Sequence, residues 1–169
     1  MFIALALVFI VSLIVRSTLD FYLVRKFNVT LESRHNNWVI ILMFLLWSSW
    51  FMLVENDPSK ATYPLYLKII GWIFSLSAAF LFFGTIFQLR GFKGQGTLIQ
   101  NGLFRYLRHP MYFGFLLILI GYPLIHSACY SFMLAFPGLF AVLYWRYCEE
   151  KVLRKNFPEY LEYAKNTVF

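Results

Sequence analysis

The stretch MYFGFLLILIGYPLIHSACYSFMLAFPGLFAVLYW, residues 111–145, decides the fold of this chain. It is apolar except for an interruption at residues 123–127, which leaves about 15 residues before the break and about 16 after it. A bilayer core about 30 Å thick needs roughly 20 helical residues, so each half is short for a span. Two thin spanning helices and a tight re-entrant hairpin both fit this pattern. In either case the chain returns to the side from which it entered.

Three further apolar runs precede this stretch, at residues 1–15, 38–54 and 65–89. The third is long enough to span comfortably, and the second spans with little to spare. The first becomes long enough only if its helix continues past Arg16 to about Val24. Arg16 and Asp20 then lie four residues apart on one helix face, where they can pair at the membrane interface. The first run lacks a basic leading segment and a small-residue cleavage site, so we expect a retained span.

Composition places the chain among membrane proteins. Of its 169 residues, 60% are hydrophobic and only 14% are charged, and the mean hydropathy is +0.65. A soluble domain with so little polar surface would precipitate. The net charge of +7 comes from basic residues in short loops, which form no long stripe, so we expect no nucleic acid as a partner. The expected partner is the lipid bilayer.

We predict an all-α fold, namely a polytopic membrane helical bundle of about five transmembrane helices. The last two form a tight hairpin, and a cytoplasmic C-terminal helix follows them. Residues 1–169 make a single domain, in which 1–90 hold three spans and 91–169 hold a polar motif, the hairpin and the tail. Gly71, Ser75 and Ala79 repeat every fourth position along the third span, which is typical of a close helix–helix seam.

Charge placement predicts the orientation of the bundle. With five crossings, every lysine and arginine except Lys60 and Lys68 falls on one side of the membrane. The positive-inside rule places that side in the cytoplasm. We therefore expect a multi-pass integral membrane protein with its N-terminus outside and with the motif and the C-terminus in the cytoplasm.

Metal and phosphate-loop motifs do not occur in the sequence. It contains no C-x-x-C pair, no H-E-x-x-H and no G-x-x-x-x-G-K-[ST]. We therefore expect no metal cofactor.

Two polar clusters border the 111–145 stretch, RHPMYFG at residues 108–114 and RYCEEKVL at residues 146–153. Arg108 and His109 can be simple interfacial anchors, with Pro110 in a first helical turn, where its missing N–H loses nothing. Arg146 with Glu149 or Glu150 can likewise be a helix-surface pair. If the chain doubles back as predicted, both clusters meet at the cytoplasmic mouth of a groove between helices. That convergence favours a functional site.

The run NGLFRYLRHPMYFG, residues 101–114, is followed by Arg146, Glu149, Glu150, Leu153, Phe157, Tyr160 and Tyr163. This pattern resembles the integral-membrane methyltransferases of the isoprenylcysteine carboxyl methyltransferase and phospholipid methyltransferase superfamily. The resemblance covers roughly residues 91–169. Membrane sterol reductases carry a motif similar to Arg-His-Pro-x-Tyr-x-Gly. The Glu-Glu-x-x-Leu pair and the Phe-Pro-x-Tyr-x-x-Tyr tail favour the methyltransferases.

The resemblance implies a cytoplasm-facing pocket for S-adenosylmethionine. Glu150, and secondarily Glu149, would contact a ribose hydroxyl or the methionine amine, since a carboxylate accepts hydrogen bonds and balances an ammonium charge. The residues that would shape the pocket are His109, Pro110, Tyr112 and Gly114, with Tyr160 and Tyr163 closing it as an aromatic wall. Packing against the membrane surface accounts equally well for the two tyrosines.

Methyl transfer from a sulfonium is an in-line displacement that needs alignment and desolvation more than acid–base chemistry. A prenylcysteine carboxylate as acceptor would need a cation, and Arg108 and Arg146 are the candidates for that catalytic role. An amine such as phosphatidylethanolamine must lose a proton, for which His109 or one of the two glutamates would be the base. A groove between helices favours a lipophilic or amphiphilic acceptor, and the resemblance implies an activity like that of the isoprenylcysteine carboxyl methyltransferases. The residues themselves do not decide among the acceptors.

Several alternatives stay open from the sequence. A phospholipid N-methyltransferase and a small-thiol S-methyltransferase share the same chemistry, although a thiol must first ionise. A membrane sterol-type reductase would need a nicotinamide cofactor, and the resemblance implies more spans for it than this chain supplies. A non-enzymatic lipid-binding membrane protein would use its basic mouth to contact anionic headgroups.

Overall fold

The computed structural model describes residues 1–30, 37–90 and 98–169. Two positions of the charge argument, Arg34 and Lys93, lie outside the described residues. The helices are α1 (Phe2–Phe27), α2 (Asn37–Glu55), α3 (Leu65–Arg90), α4 (Pro110–His126), α5 (Cys129–Asn156) and α6 (Tyr160–Lys165), with a short 3-10 helix at Gly102–Arg105. Every regular element in these described ranges is helical, which confirms the predicted all-α class.

Among the described residues, two helices, α1 and α3, are long and apolar enough to cross a membrane. The apolar part of α2, Val39–Glu55, and the whole of α4 are shorter. The count of about five spans therefore stays a prediction. Helix α1 does continue past Arg16, and it ends at Phe27 because Asn28 adopts the left-handed conformation with φ 53°.

Only Ser127 and Ala128 separate α4 from α5, and the two helices pack against each other. The chain leaves α4 through Ser127, whose φ of 55° ends the helix. Helix α5 has 28 residues and α4 has 17, so α5 is about 42 Å long and α4 about 26 Å. The start of α4 consequently lies level with the Arg146–Glu150 turn of α5, and the rest of α5 projects beyond it. Whether both helices cross the bilayer stays a prediction.

A close seam joins α3 and α4. A Cβ atom added to Gly71 would lie 2.8 Å from the carbonyl oxygen of Gly121, and one added to Gly121 would lie 2.8 Å from Ser75 Oγ. Farther along, a Cβ on Gly114 would lie 3.2 Å from the carbonyl oxygen of Ala78. The sequence pattern predicts a seam along Gly71, Ser75 and Ala79, but Ala79 is exposed. A helix turns once per 3.6 residues, so the contact line drifts back to Ala78.

Helices α1 and α5 run parallel. This direction follows from the contacts between them, which join residues whose numbers differ by a nearly constant amount along both helices. The Phe9 ring lies next to Gly138, Trp145 Nε1 donates to Ser17 Oγ at 3.0 Å, and Asn28 Nδ2 donates to Asn156 Oδ1 at 3.1 Å.

Arg16 and Asp20 lie within this α1–α5 interface. Arg16 Nε lies 3.8 Å from Asp20 Oδ2, and the Arg16 guanidinium carbon lies 4.1 Å from the centre of the Trp145 ring. The pair predicted at the membrane interface is thus buried against α5.

The connection between α2 and α3 fixes the start of α5. Asp57 Oδ2 accepts hydrogen bonds from the backbone N–H and the hydroxyl of Ser131, both at 2.6 Å. A carboxylate at the N-terminus of a helix satisfies unpaired N–H groups and complements the helix dipole. This contact fixes the first turn of α5, at the end of the bundle remote from the Arg108–Gly114 motif.

Candidate functional site

A cavity of about 200 Å³ lies where α4 begins, between α3, α5 and α6. Its walls come from five parts of the chain: the end of α3, the segment before α4, the first turn of α4, the last turns of α5, and α6. The lining residues are Thr85, Leu89, Leu98, Ile99, Phe104, Arg108, His109, Pro110, Met111, Tyr112, Glu149, Leu153, Phe157, Tyr160 and Tyr163. Both polar clusters of the sequence therefore meet at one cavity.

The first turn of α4 presents His109, Pro110 and Tyr112 to the cavity. Pro110 is the first helical residue, as its missing N–H favours. The imidazole of His109 is buried, with Nδ1 3.4 Å from Glu149 Oε2 and Nε2 3.6 Å from Glu150 Oε1. Burial alone lowers the pKa of His109, but the two carboxylates outweigh burial and raise that pKa above its usual value. The charged imidazolium is therefore favoured.

Four cationic or ionisable side chains surround the Glu150 carboxylate. Arg146 Nη2 and Nε lie 3.0 and 3.2 Å from Oε1, Arg108 Nε lies 3.4 Å from Oε1, and Arg154 Nη2 lies 3.0 Å from Oε2. Arg146, Glu150 and Arg154 share one helix face because they are four residues apart. The contact with His109, followed by the hydrogen bond from Arg146, outweighs burial and holds the pKa of Glu150 at about 2.

Glu149 has a different environment from its neighbour. Its carboxylate lines the cavity and its side chain is 29% exposed, with His109 Nδ1 at 3.4 Å. The resemblance implied Glu150 as the first candidate for cofactor contact. The geometry instead turns Glu149 to the cavity and engages Glu150 with the arginines.

The two arginines expected in a catalytic role lie on either side of Glu150. Arg108 Nη1 donates to the carbonyl oxygens of Ala164 and Thr167, both at 2.7 Å, so this end of its guanidinium is engaged with the C-terminal residues. The Arg146 guanidinium carbon lies 4.3 Å from the centre of the Phe169 ring, and its side chain is 24% exposed. Arg146 thus keeps the more accessible guanidinium of the two.

The tyrosines of α6 form one wall of the cavity. Tyr160 is fully buried, and its hydroxyl has no hydrogen-bond partner among the described residues. The Tyr163 hydroxyl donates to the carbonyl oxygen of Phe104 at 2.5 Å. Burial, partly offset by Arg108, raises the pKa of Tyr163 to about 12, and burial raises the pKa of Tyr160 as well. Both side chains are neutral hydroxyls at neutral pH.

Gly114 lies apart from the cavity and serves the fold. It packs against Ala78 of α3, as described above, and so brings the end of α3 close enough to form a cavity wall. Gln88, near the end of α3, bonds to the 3-10 helix: its amide donates to the Asn101 carbonyl oxygen, and its Oε1 accepts from the Leu103 N–H at 3.1 Å. These contacts fix the segment that leads into the motif.

Sequence reasoning missed the apolar side of the cavity, which is formed by Leu89, Leu98, Ile99, Phe104 and Met111. A signal for part of it exists, because Leu89 follows Thr85 by one helical turn on the same face of α3. No comparable pattern marks the loop residues that line the cavity. Within residues 1–30, 37–90 and 98–169, no group of three or more His, Cys, Asp or Glu side chains is placed to hold a metal ion.

Comparison with known proteins gives one finding for this chain. The model of the phospholipid methyltransferase family matches residues 61–160, which hold α3, α4, α5 and the residues of both polar clusters. No curated protein and no solved structure matches the chain.

Proposed function

Because this chain belongs to the phospholipid methyltransferase family, we propose that it transfers a methyl group from S-adenosylmethionine to a lipophilic or amphiphilic acceptor. Family membership implies a membrane methyltransferase, and it favours this chemistry over the reductase alternative. When bound, the cofactor supplies an electrophilic methyl group on a sulfonium. The protein's contribution is to bind, to align and to exclude water.

The residues of the cavity suit such a cofactor. The Glu149 carboxylate accepts hydrogen bonds from a ribose hydroxyl or pairs with an ammonium group. The buried Tyr160 hydroxyl needs a partner, and a bound carboxylate or hydroxyl supplies one. Leu89, Ile99 and Leu153 offer the apolar surface that a purine ring requires. The observation that carries the proposal is the joining of the motif, Glu149 and the α6 tyrosines around a single cavity.

His109 acts in this proposal by positioning Glu149. Its Nδ1–H points at the Glu149 carboxylate, and Glu150 favours the charged imidazolium on the other side. In its charged form the imidazole donates hydrogen bonds from both nitrogens. His109, Pro110 and Tyr112 all line the cavity, and we propose that they shape the cofactor pocket.

Arg146 is the proposed contact for an anionic acceptor. Its guanidinium is partly exposed, while one end of Arg108 is engaged with backbone carbonyl groups. A prenylcysteine carboxylate would bind there, and a phospholipid amine is equally consistent with the family. An acceptor screen with prenylcysteines, phosphatidylethanolamine, fatty acids and small thiols separates these classes, with methyl incorporation as the readout.

Binding of radiolabelled S-adenosylmethionine to the purified protein in detergent tests the proposal. We expect Glu149→Gln to raise the dissociation constant for S-adenosylmethionine about tenfold, because one charge-assisted contact is lost. The matched control is Glu55→Gln. Glu55 ends α2 and pairs with Tyr122 and His126 of α4, at the end of the bundle remote from the cavity. Folded wild-type protein that binds no cofactor at millimolar concentration would refute the proposed activity. Unchanged affinity in the Glu149 variant alone would move the cofactor site elsewhere.

A further inference from the structure

We propose that residues 158–169, here called the tail, form a lid over the cavity and that Arg108 is the latch that holds the lid shut. The contacts of the tail hold the lid closed, and their opening can be measured without any ligand. The inference rests on the proposed function in one respect, namely that the ligand admitted by the lid is S-adenosylmethionine.

A hinge separates the tail from α5. Helix α5 ends at Asn156, and Phe157 is extended, with φ −127° and ψ 104°, as a residue before proline prefers. Pro158 has no N–H and cannot continue the helix. Helix α6 begins only at Tyr160. Rotation about residues 157–159 therefore moves the tail without disturbing α5.

The tail is held to the protein by hydrogen bonds that converge on the segment before α4. The Arg108 side chain bonds to the carbonyl oxygens of Ala164 and Thr167. The Arg108 backbone N–H donates to the Val168 carbonyl oxygen at 3.1 Å, and the Val168 N–H donates to the Tyr106 carbonyl oxygen at 3.0 Å. Arg108 thus takes part in three of these bonds, so its release frees most of the tail at once.

Further contacts complete the closure. The Tyr163 hydroxyl bonds to Phe104, as described above. The Phe169 ring lies 5.3 Å from the Phe113 ring and rests against the Arg146 guanidinium. In the closed position, Phe169 therefore covers the arginine that is proposed to hold an anionic acceptor. Opening of the tail would expose Arg146 and the cavity together.

The small volume of the cavity favours a wall that moves. Pockets that enclose drug-sized ligands measure roughly 300–1,000 Å³, whereas this cavity measures about 200 Å³. An outward shift of one wall would give a nucleoside sulfonium the volume that such pockets usually have. Tyr160 and Tyr163 form the wall that stands on the tail, while the walls on α3, α4 and α5 belong to long helices packed along their lengths.

Amide hydrogen exchange of the unliganded protein tests the latch. We expect Arg108→Met to speed exchange of the Val168 N–H and of the α6 amides by at least about tenfold, since two charge-assisted hydrogen bonds are lost. Exchange in the middle of α4 and α5 stays unchanged. The matched control is Arg154→Met, which also removes a partner of Glu150 but does not contact the tail carbonyl groups. Tail exchange that is as slow in Arg108→Met as in the wild type overturns the latch.

A reversible lock tests the lid without removing Arg108. Leu107 and Val168 lie side by side as a parallel bridge pair, at the roughly 4.8 Å spacing of neighbouring strands, which suits a disulfide. In Leu107→Cys/Val168→Cys, made with Cys129→Ser, we expect oxidation to slow entry and release of radiolabelled S-adenosylmethionine by at least about tenfold. Reduction restores both rates. The controls are Leu107→Cys and Val168→Cys made separately with Cys129→Ser and then oxidised.

The outcomes separate the two proposals. Equal cofactor exchange rates in the oxidised and reduced lock, with the disulfide verified by mass, overturn the lid and leave the methyltransferase intact. Absence of cofactor binding in the wild type overturns the proposed function, and the hydrogen-exchange result then decides alone whether the tail opens as a latched unit.

Discussion

Glu149 and Glu150 are adjacent in the chain, yet a helix turns by about 100° per residue, so their carboxylates face different surroundings. Glu149 faces the cavity and contacts His109, whereas Glu150 lies among Arg108, Arg146 and Arg154. The sequence predicted that this pair matters, because the motif match names both. The resemblance ranked Glu150 first, whereas Glu149 is the one that lines the cavity. The sequence could not reveal this, since it depends on where Arg108 and His109 arrive from a distant part of the chain.

The low pKa of Glu150 predicts acid-sensitive stability. A carboxyl whose pKa is about 2 when folded and near its usual 4.5 when unfolded stabilises the protein fully above pH 4.5, and this contribution is lost as the pH falls toward 2. We expect Glu150→Gln to reduce the free energy of unfolding at pH 7 by about 2–4 kcal/mol, because Arg108 and Arg146 lose their counter-charge.

Thermal unfolding in detergent between pH 7 and pH 3, followed by tryptophan fluorescence, measures this effect. The wild type should lose stability in the acidic part of this range, and the Gln variant should lose correspondingly less. Equal pH dependence in both proteins would show that Glu150 does not carry the effect. Glu149→Gln, whose side chain is more exposed, is the companion variant and should change stability little.

At the scale of elements, the ends of the helices follow local chemistry that the sequence displays. Asn28 and Ser127 adopt left-handed conformations at helix ends, and Pro110 begins α4. The small residues of α3 predicted its seam, with Ala78 in place of Ala79. The docking of the tail had no such signal, because Arg108 bonds to backbone carbonyl oxygens, and every residue carries one.

The α3–α4 seam predicts a sharp difference between two small changes in α3. Gly71→Ala places a methyl group 2.8 Å from the Gly121 carbonyl oxygen, which forces the helices apart and should cost about 1–3 kcal/mol. Ala79→Val adds more volume on the exposed face and should be nearly neutral. Thermal unfolding of both variants checks the prediction. Equal melting temperatures for Gly71→Ala and the wild type would contradict the close approach of these helices.

At the scale of the whole molecule, the two ends of the bundle differ in charge chemistry. Asp57 and Glu55 lie at the end where α5 begins, and the arginines with the cavity lie at the other. This separation matches the orientation that the positive-inside rule predicts from sequence, with the cavity in the cytoplasm. Number of spans and orientation are properties of the bilayer as well as of the chain, so they remain predictions.

Cysteine labelling in sealed membranes checks the orientation. With the native Cys129 and Cys148 replaced by serine, we expect Ser59→Cys to react with a membrane-impermeant maleimide from outside the cell and Lys155→Cys to react only after permeabilisation. The two positions lie at opposite ends of the bundle, on the α2–α3 connection and near the end of α5. The reverse labelling pattern would contradict the charge argument. Labelling of both positions from the same side would contradict an odd number of membrane crossings between them.

Arg16 and Asp20 also bear on how the protein is made. A single arginine on a helix that enters the bilayer is costly until a counter-charge arrives. Here the counter-charge lies one turn away on the same helix, so α1 carries it from the start of translation. The aromatic face of Trp145 is synthesised much later and then covers the pair. The Arg16–Asp20 pair can therefore enter the membrane as a neutral pair before α5 packs against it.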